Sequence, residues 1–283
     1  MKQIINLSLI IFSATGLFGQ AINASTYPFS LQTGIPPEDM SSGTTVLVGP
    51  GSNDGSSELQ DIGFEFWFGG TRYTQYSASA NGYIRMGSLV YYPGTGYDYS
   101  NNIASSSQIP LIAPYWDDIR TSADDGRVHA KTIGIAPNRK LILEWYNMEI
   151  PYKEITQPRS FQLWLSESTG KIEFVYGKNG IGIPSNTAGS GASIGFNRSG
   201  PSSFASINVV TSNVSYYTAS NYNTAPIAAG TKYTFTPTIP LAPTGLTFSP
   251  LGGFSMTLNW QDNAGDEFGY LIYRSDDGGN SFQ

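Results

Sequence analysis

Polar and apolar residues alternate along much of this chain with the period of a β-strand. In "SFQLWLSESTGKIEFVYG", Phe161, Leu163 and Leu165 alternate with Gln162, Trp164 and Ser166. Ser168, Thr169 and Gly170 then supply turn residues, and Ile172, Phe174 and Tyr176 return as a second apolar row. Side chains of successive strand residues point to opposite faces, so this pattern predicts a hairpin with one face turned to a core. In "RVHAKT", Val128, Ala130 and Thr132 alternate with His129 and Lys131, which places His129 and Lys131 together on the predicted solvent face.

The same reading extends along the chain. "IGFEFWFGGTRYTQYSASANGYIRMG" reads as three strands separated by Gly69-Gly70 and Asn81-Gly82, pairs that tolerate the positive φ of tight hairpins. Further strands are predicted at Thr44 to Val48, Pro110 to Trp116, Arg127 to Ile135, Lys140 to Ile150, Arg159 to Glu167 and Lys171 to Tyr176. Three more are predicted at Ala192 to Asn197, Phe204 to Val210 and Thr231 to Thr236. No run of helical periodicity follows the first residues. Many strands with frequent turns define an all-β fold, an antiparallel β-sandwich of jelly-roll-like form, over residues 20–236. Pro237, Pro240 and Pro243 then stiffen a connector at 237–243, a composition break typical of a domain boundary.

The N-terminus departs from this pattern. Lys2, the apolar run from Ile4 to Phe12 and the small residues after it read as a signal peptide over 1–19, with cleavage after Gly19 and Ala21 as a competing site. A membrane-spanning helix needs about 20 mostly apolar residues, and this run is shorter and broken by Asn6 and Ser8. The reading implies a secreted or cell-surface protein with no membrane span after signal cleavage. Composition narrows the partners. A net charge of -6 and a pI near 4.7 argue against nucleic acid, which calls for a basic stripe. The absence of cysteine removes thiol catalysis, iron-sulfur clusters and cysteine-zinc sites.

Two segments carry family likenesses. "FEFWFGGTRYTQYSASANGYIRMG", "PLIAPYWDDI", "APNRKLILEW" and "FQLWLSESTGKIEFVYG" occur in an order that resembles the nidogen-like and related secreted bacterial β-domains, over roughly 62–197. The cysteines of animal relatives are absent. This resemblance implies an extracellular, non-catalytic adhesion or matrix module. After the connector, Pro243 and Leu246, then "LNW" with Trp260, then "GYLIYRS" resemble the opening of a fibronectin type III domain, an immunoglobulin-like sandwich. On this likeness, 244–283 is a truncated copy of that domain, with its remaining strands missing.

Candidate chemistry is sparse. "WDDIRTSADDG" offers four carboxylates, Asp117, Asp118, Asp124 and Asp125, within one connection, and calcium takes six to eight oxygens of this kind. The alternative is a strand end followed by an Asp-Asp-Gly turn, since the D-x-D-x-D-G ladder of calcium loops is absent. The loop "GSNDGSSELQD" gathers Asn53, Asp54, Ser56, Glu58 and Asp61, again as a calcium loop or an ordinary exposed turn. His129 is the only histidine, and no serine elbow or further zinc ligands accompany it. Glu144, Glu149, Glu154, Glu167 and Glu173 lie on or near strands, without the compact carboxylate pair of a glycosidase. Catalytic residues are therefore not assigned, and no cofactor is expected beyond a calcium ion.

The tyrosine-rich stretches are more informative. "SLVYYPGTGYDYSNN" and "NVSYYTASNYNT" set Tyr91, Tyr92, Tyr97, Tyr99, Tyr216, Tyr217 and Tyr222 among Gly, Ser and Asn. Tyr gives contact area at small entropic cost and its neighbours give adaptable hydrogen bonds, which is the composition of a paratope. The alternative is that these tyrosines cap sheet edges. The expected function is a non-catalytic binding or adhesion module with an extracellular protein or polysaccharide ligand. The runner-up is an accessory region of a secreted hydrolase.

Overall fold

The computed structural model describes residues 24–90, 101–150, 159–177, 179–181, 191–238, 243–251 and 255–263. Hairpins dominate because the turn residues leave the strands no other way to bury their apolar rows. β3 (Gln60–Phe68), β4 (Thr71–Ser79), β5 (Tyr83–Met86) and β6 (Leu111–Trp116) form one antiparallel meander. The Gly69-Gly70 and Asn81-Gly82 turns fall where predicted, with φ of 56°, 77° and 82° at Gly69, Gly70 and Gly82.

The chain then crosses to a second sheet. β7 (Arg120–Thr121) and β8 (Arg127–Ile133) both pair with β9 (Lys140–Glu149), which leads through β10 (Arg159–Ser166) into β11 (Ile172–Tyr176). It returns to the first sheet as β12 (Ser193–Asn197) beside β6, followed by β13 (Phe204–Asn208) and β14 (Asn213–Ser215). β15 (Lys232–Phe235) closes the second sheet between β11 and the N-terminal β1 (Phe29–Gln32), while β2 (Thr45–Val48) forms that sheet's other edge against β8. The result is an eight-stranded and a seven-stranded antiparallel sheet whose apolar rows merge in one core, an all-β sandwich. Among the described residues there is no α-helix, only a short 3-10 turn at Ala24–Thr26.

The predicted β10–β11 hairpin forms, with Phe161 opposite Tyr176, Leu163 opposite Phe174 and Leu165 opposite Ile172. All six enter the core. Side chains also tie the sheets together. The Trp145 indole N–H donates to Ser79 O at 2.8 Å, and the Tyr176 hydroxyl donates to Pro114 O at 2.8 Å. A buried Trp or Tyr retains a polar tip, and an opposing strand carbonyl is the partner that satisfies it here.

One expectation is corrected. His129 and Lys131 do share a face of β8, but His129 is buried at 1% exposure. The segment from Ile35 to Thr44 crosses that face, with Ile35 and Met40 packed against Ile142, Trp164 and Val175. Beneath it runs a row of polar groups. Thr44 Oγ1 lies 3.1 Å from His129 Nδ1, His129 Nε2 lies 2.8 Å from Glu144 Oε2, and Gln162 Nε2 donates to Glu144 Oε1 at 2.9 Å. Gln162 also grips the backbone of Glu38 from both sides, accepting from its N–H at 2.9 Å and donating to its carbonyl at 2.8 Å. Burial without such partners would cost each polar group on the order of 1–3 kcal/mol. Glu144 is accordingly a buried, fully engaged carboxylate, and Trp145 points to the opposite face, into the core.

After the connector, β16 (Thr244–Leu251) and β17 (Ser255–Gln261) form a two-stranded hairpin. The "GYLIYRS" stretch and residues 1–19, read from sequence as a signal peptide, lie outside the described residues.

Candidate recognition surface

On the outer face of the seven-stranded sheet a second apolar cluster joins Tyr83, Leu111, Ala113, Trp116 and Phe204. Strands alternate, so a sheet with its other face in the core should turn polar residues outward. These outward apolar residues are instead covered by irregular segments, through Val90, Ile103, Ala104, Ile109 and Ala219. Irregular backbone laid over a sheet leaves amides and carbonyls without ladder partners, and each needs another.

Asparagine meets this need because its side chain both donates and accepts. Asn101 Nδ2 donates to the carbonyls of Gly191 and Asn221, the latter at 2.8 Å. Asn221 Oδ1 accepts from the N–H of Ile103 at 3.1 Å and from the Ser193 hydroxyl at 3.0 Å. Asn197 Nδ2 donates to Ile103 O at 2.6 Å. Asn223 Nδ2 donates to Ala192 O, Ile207 O and Ser220 O, while its Oδ1 accepts from Val209 N–H at 2.9 Å. Asn197, Asn223 and Asn101 are buried. This clamp joins the segment beginning at Asn101 to the segment around Asn221. Sequence reasoning missed it, because Asn in a Gly- and Ser-rich stretch reads as turn filler.

The clamp sits beside the predicted tyrosines. Tyr217 is 86% exposed and Tyr222 is 63% exposed. Tyr216 is different: its hydroxyl donates to Tyr27 O at 2.7 Å, and burial pushes its pKa above the ordinary tyrosine value. It pins the segment to the sandwich. Tyr91, Tyr92, Tyr97 and Tyr99 lie outside the described residues. The two chain positions bounding that segment are both anchored, however. The Val90 N–H donates to Ser77 Oγ at 2.7 Å, and Asn101 is held as above.

The acidic candidates divide between two places. Asp117 is buried and its Oδ1 accepts from the Asp118 N–H at 2.9 Å. Burial above all, with the neighbouring charge of Asp118 adding to it, pushes its pKa up to about 6. Asp118 is raised as well, by burial first and then by the charge of Asp54. Asp54 is held by Asn53 Nδ2 at 2.8 Å and Asn81 Nδ2 at 3.1 Å, so the two acidic loops singled out in the sequence meet here. Asp124 and Asp125 instead occupy the exposed turn before β8, where Asp125 accepts from Asn147 Nδ2 and Arg127 donates to the Asp125 carbonyl. Among the described residues no group of three or more His, Cys, Asp or Glu is placed to hold a metal ion.

Fold and surface together define an all-β sandwich module with an elaborated outer face. The model of the NIDO related family, the nidogen-related domains, matches residues 26–237, and the chain belongs to that family. No curated protein and no solved structure gives a significant match. Among the described residues no helix is long and apolar enough to cross a membrane.

Proposed function

We propose that this chain is the recognition module of a modular secreted or cell-surface protein. It binds an extracellular protein or polysaccharide through the exposed side chains of Tyr217 and Tyr222, with Tyr91, Tyr92, Tyr97 and Tyr99 as further candidates from sequence. The observation that carries the reading is the Asn101–Asn221 clamp. It brings the residue two positions after Tyr99 against the residue just before Tyr222, across 120 positions of sequence. The exposed Tyr217 and Tyr222 thus stand on a segment fixed to the sandwich, and loops fixed on a rigid scaffold suit recognition. On the same reading, β16 and β17 are the opening hairpin of a fibronectin type III domain, with Trp260 as its second-strand tryptophan.

The test is retention on arrays of glycans and extracellular matrix proteins, comparing the native chain with a Tyr217→Ser, Tyr222→Ser double variant. Exposed aromatic anchors contribute upward of about 1 kcal/mol each, so affinity for any retained ligand should fall roughly tenfold or more. The unfolding midpoint should stay within the small range expected of surface substitutions, about 0.5 kcal/mol. Unchanged affinity in the double variant, or no retained ligand at all, would sink the reading. Parallel melts with calcium and with a chelator test Asp117, Asp118, Asp124 and Asp125 as cation ligands. A calcium-dependent rise in midpoint that Asp118→Asn abolishes supports the site, and identical melts remove it.

A further inference from the structure

A second polar surface lies far along the chain from the tyrosines, at the turn end of β9, β10 and β11. A pocket of about 350 Å³ opens there, lined by Asn138, Arg139, Lys140, Ser168, Thr169 and Lys171 among others. Its volume is at the small end of the range for ligand sites, roughly 300–1,000 Å³. The chain is acidic overall, with a net charge of -6, yet this corner gathers Arg139, Lys140, Lys171 and Lys232 against only Glu167 and Glu173.

Most of these charges are already engaged. Arg139 is held by Glu167 through two of its nitrogens and donates to Gly63 O at 2.6 Å. Lys232 Nζ lies 2.8 Å from Glu173 Oε1. Lys140 Nζ stands 4.4 Å from the centre of the Trp164 ring and 3.7 Å from Glu173 Oε2. Lys171 remains, a half-buried ammonium lining the pocket whose side chain has no partner among the described residues. Thr169 Oγ1, in the same lining, is shielded from solvent and has no hydrogen-bond partner either. The Thr169 hydroxyl is closed off from the pocket, which leaves the Lys171 ammonium as the donor awaiting an acceptor in this concave site.

We propose that this pocket binds the carboxylate of an acidic sugar unit, with Lys171 on the carboxylate and the hydroxyls and amide of Ser166, Ser168 and Asn138 on the ring. The mixed lining favours a sugar over a bare anion, because hydroxyl and amide groups match ring hydroxyls in a way that ammonium groups alone do not. The site is separate from the tyrosine surface, and each can fail without the other.

Titration calorimetry of the native chain at low ionic strength tests this, using a galacturonic acid trimer, a neutral galactose trimer and acetate as probes. The acidic trimer should bind, weaken with added salt, and lose roughly tenfold in affinity in Lys171→Gln, the usual scale for a charge-assisted hydrogen bond. Lys171→Arg should retain part of the binding. The Tyr217→Ser, Tyr222→Ser variant should bind the trimer unchanged. Equal binding of the neutral trimer, binding of acetate as tight as that of the acidic trimer, no binding of either trimer, or loss in the tyrosine variant would each overturn the proposal.

Discussion

Asp117→Asn is expected to stabilise the protein at neutral pH and to leave it nearly unchanged in mild acid. The Asp117 carboxyl is 5% exposed, and burial lifts its pKa from 3.8 to about 6. The folded state therefore holds this proton more tightly than the unfolded chain does. The stability that the group contributes is complete below pH 3.8, and it is lost as pH rises through about 6. A shift of that size corresponds to a penalty of about 3 kcal/mol above the window, when the carboxylate must ionise in a site poor in water. Asn keeps a carbonyl oxygen to accept from the Asp118 N–H and carries no charge to desolvate.

Thermal or denaturant melts at about pH 4 and about pH 7.5 give the measurement. For a domain of this size each kcal/mol moves the midpoint by about 2–4 °C, so the variant should gain on the order of 5–10 °C at the higher pH. Carboxylates with lowered pKa values, such as Glu167 beside Arg139, give the whole protein the opposite slope. The quantity that matters is therefore the difference between variant and native chain at each pH. A difference of the same size at both pH values would show that Asp117 does not carry a raised pKa.

Asp117 also shows what could and could not be read from the sequence. The adjacent pair Asp117-Asp118 was visible as an acidic cluster, and the strand before it was visible as an apolar run. The burial of the first carboxyl and the meeting of the second with Asp54 depend on two loops 64 positions apart coming together, which no local pattern encodes. The same division runs through the fold. Hairpin β10–β11 was legible to within one residue at its turn because one of its faces enters the core and the period of two survives intact. β1 was not, because Ser30, Leu31 and Gln32 on this edge strand are all exposed and leave no alternation to find.

His129 is the instructive intermediate case. Its face on β8 followed correctly from the alternation of Val128, Ala130 and Thr132. Its exposure did not, because the cover comes from the Ile35–Thr44 segment, 85 positions away at Thr44. For the recognition surface, composition alone marked both tyrosine stretches. The hydrogen bond that ties Asn101 to Asn221 was not legible, because the residue type favours turns and gives no hint of a clamping role. Local periodicity reports which face a side chain takes, and only tertiary structure decides what covers that face.

The other large effect expected is the loss on Trp145→Ala. Trp145 is 0% exposed and stacks on Phe161 with ring centres 5.3 Å apart and planes 11° from parallel. Its indole N–H reaches the opposite sheet at Ser79 O. Truncation would open a cavity between the sheets, remove an aromatic contact and delete the hydrogen bond from the indole to the Ser79 carbonyl, which keeps only the Gly82 N–H. Trp→Ala in a core costs about 3–5 kcal/mol, and at about 2–4 °C per kcal/mol the midpoint should fall by 10 °C or more. Trp145→Phe separates the contributions, since it keeps a six-membered ring against Phe161 and deletes the donor; the Ser79 carbonyl still accepts from the Gly82 N–H at 3.3 Å, so the lost hydrogen bond should cost about 0.5–1.5 kcal/mol. The two melts together locate the tie between the sheets. If both variants unfold within about 1 kcal/mol of the native chain, the ordinary range for a substitution without special consequence, Trp145 does not bridge the sandwich as described. If the alanine variant alone is severely destabilised, packing against Phe161 holds the sheets together and the hydrogen bond to Ser79 adds little.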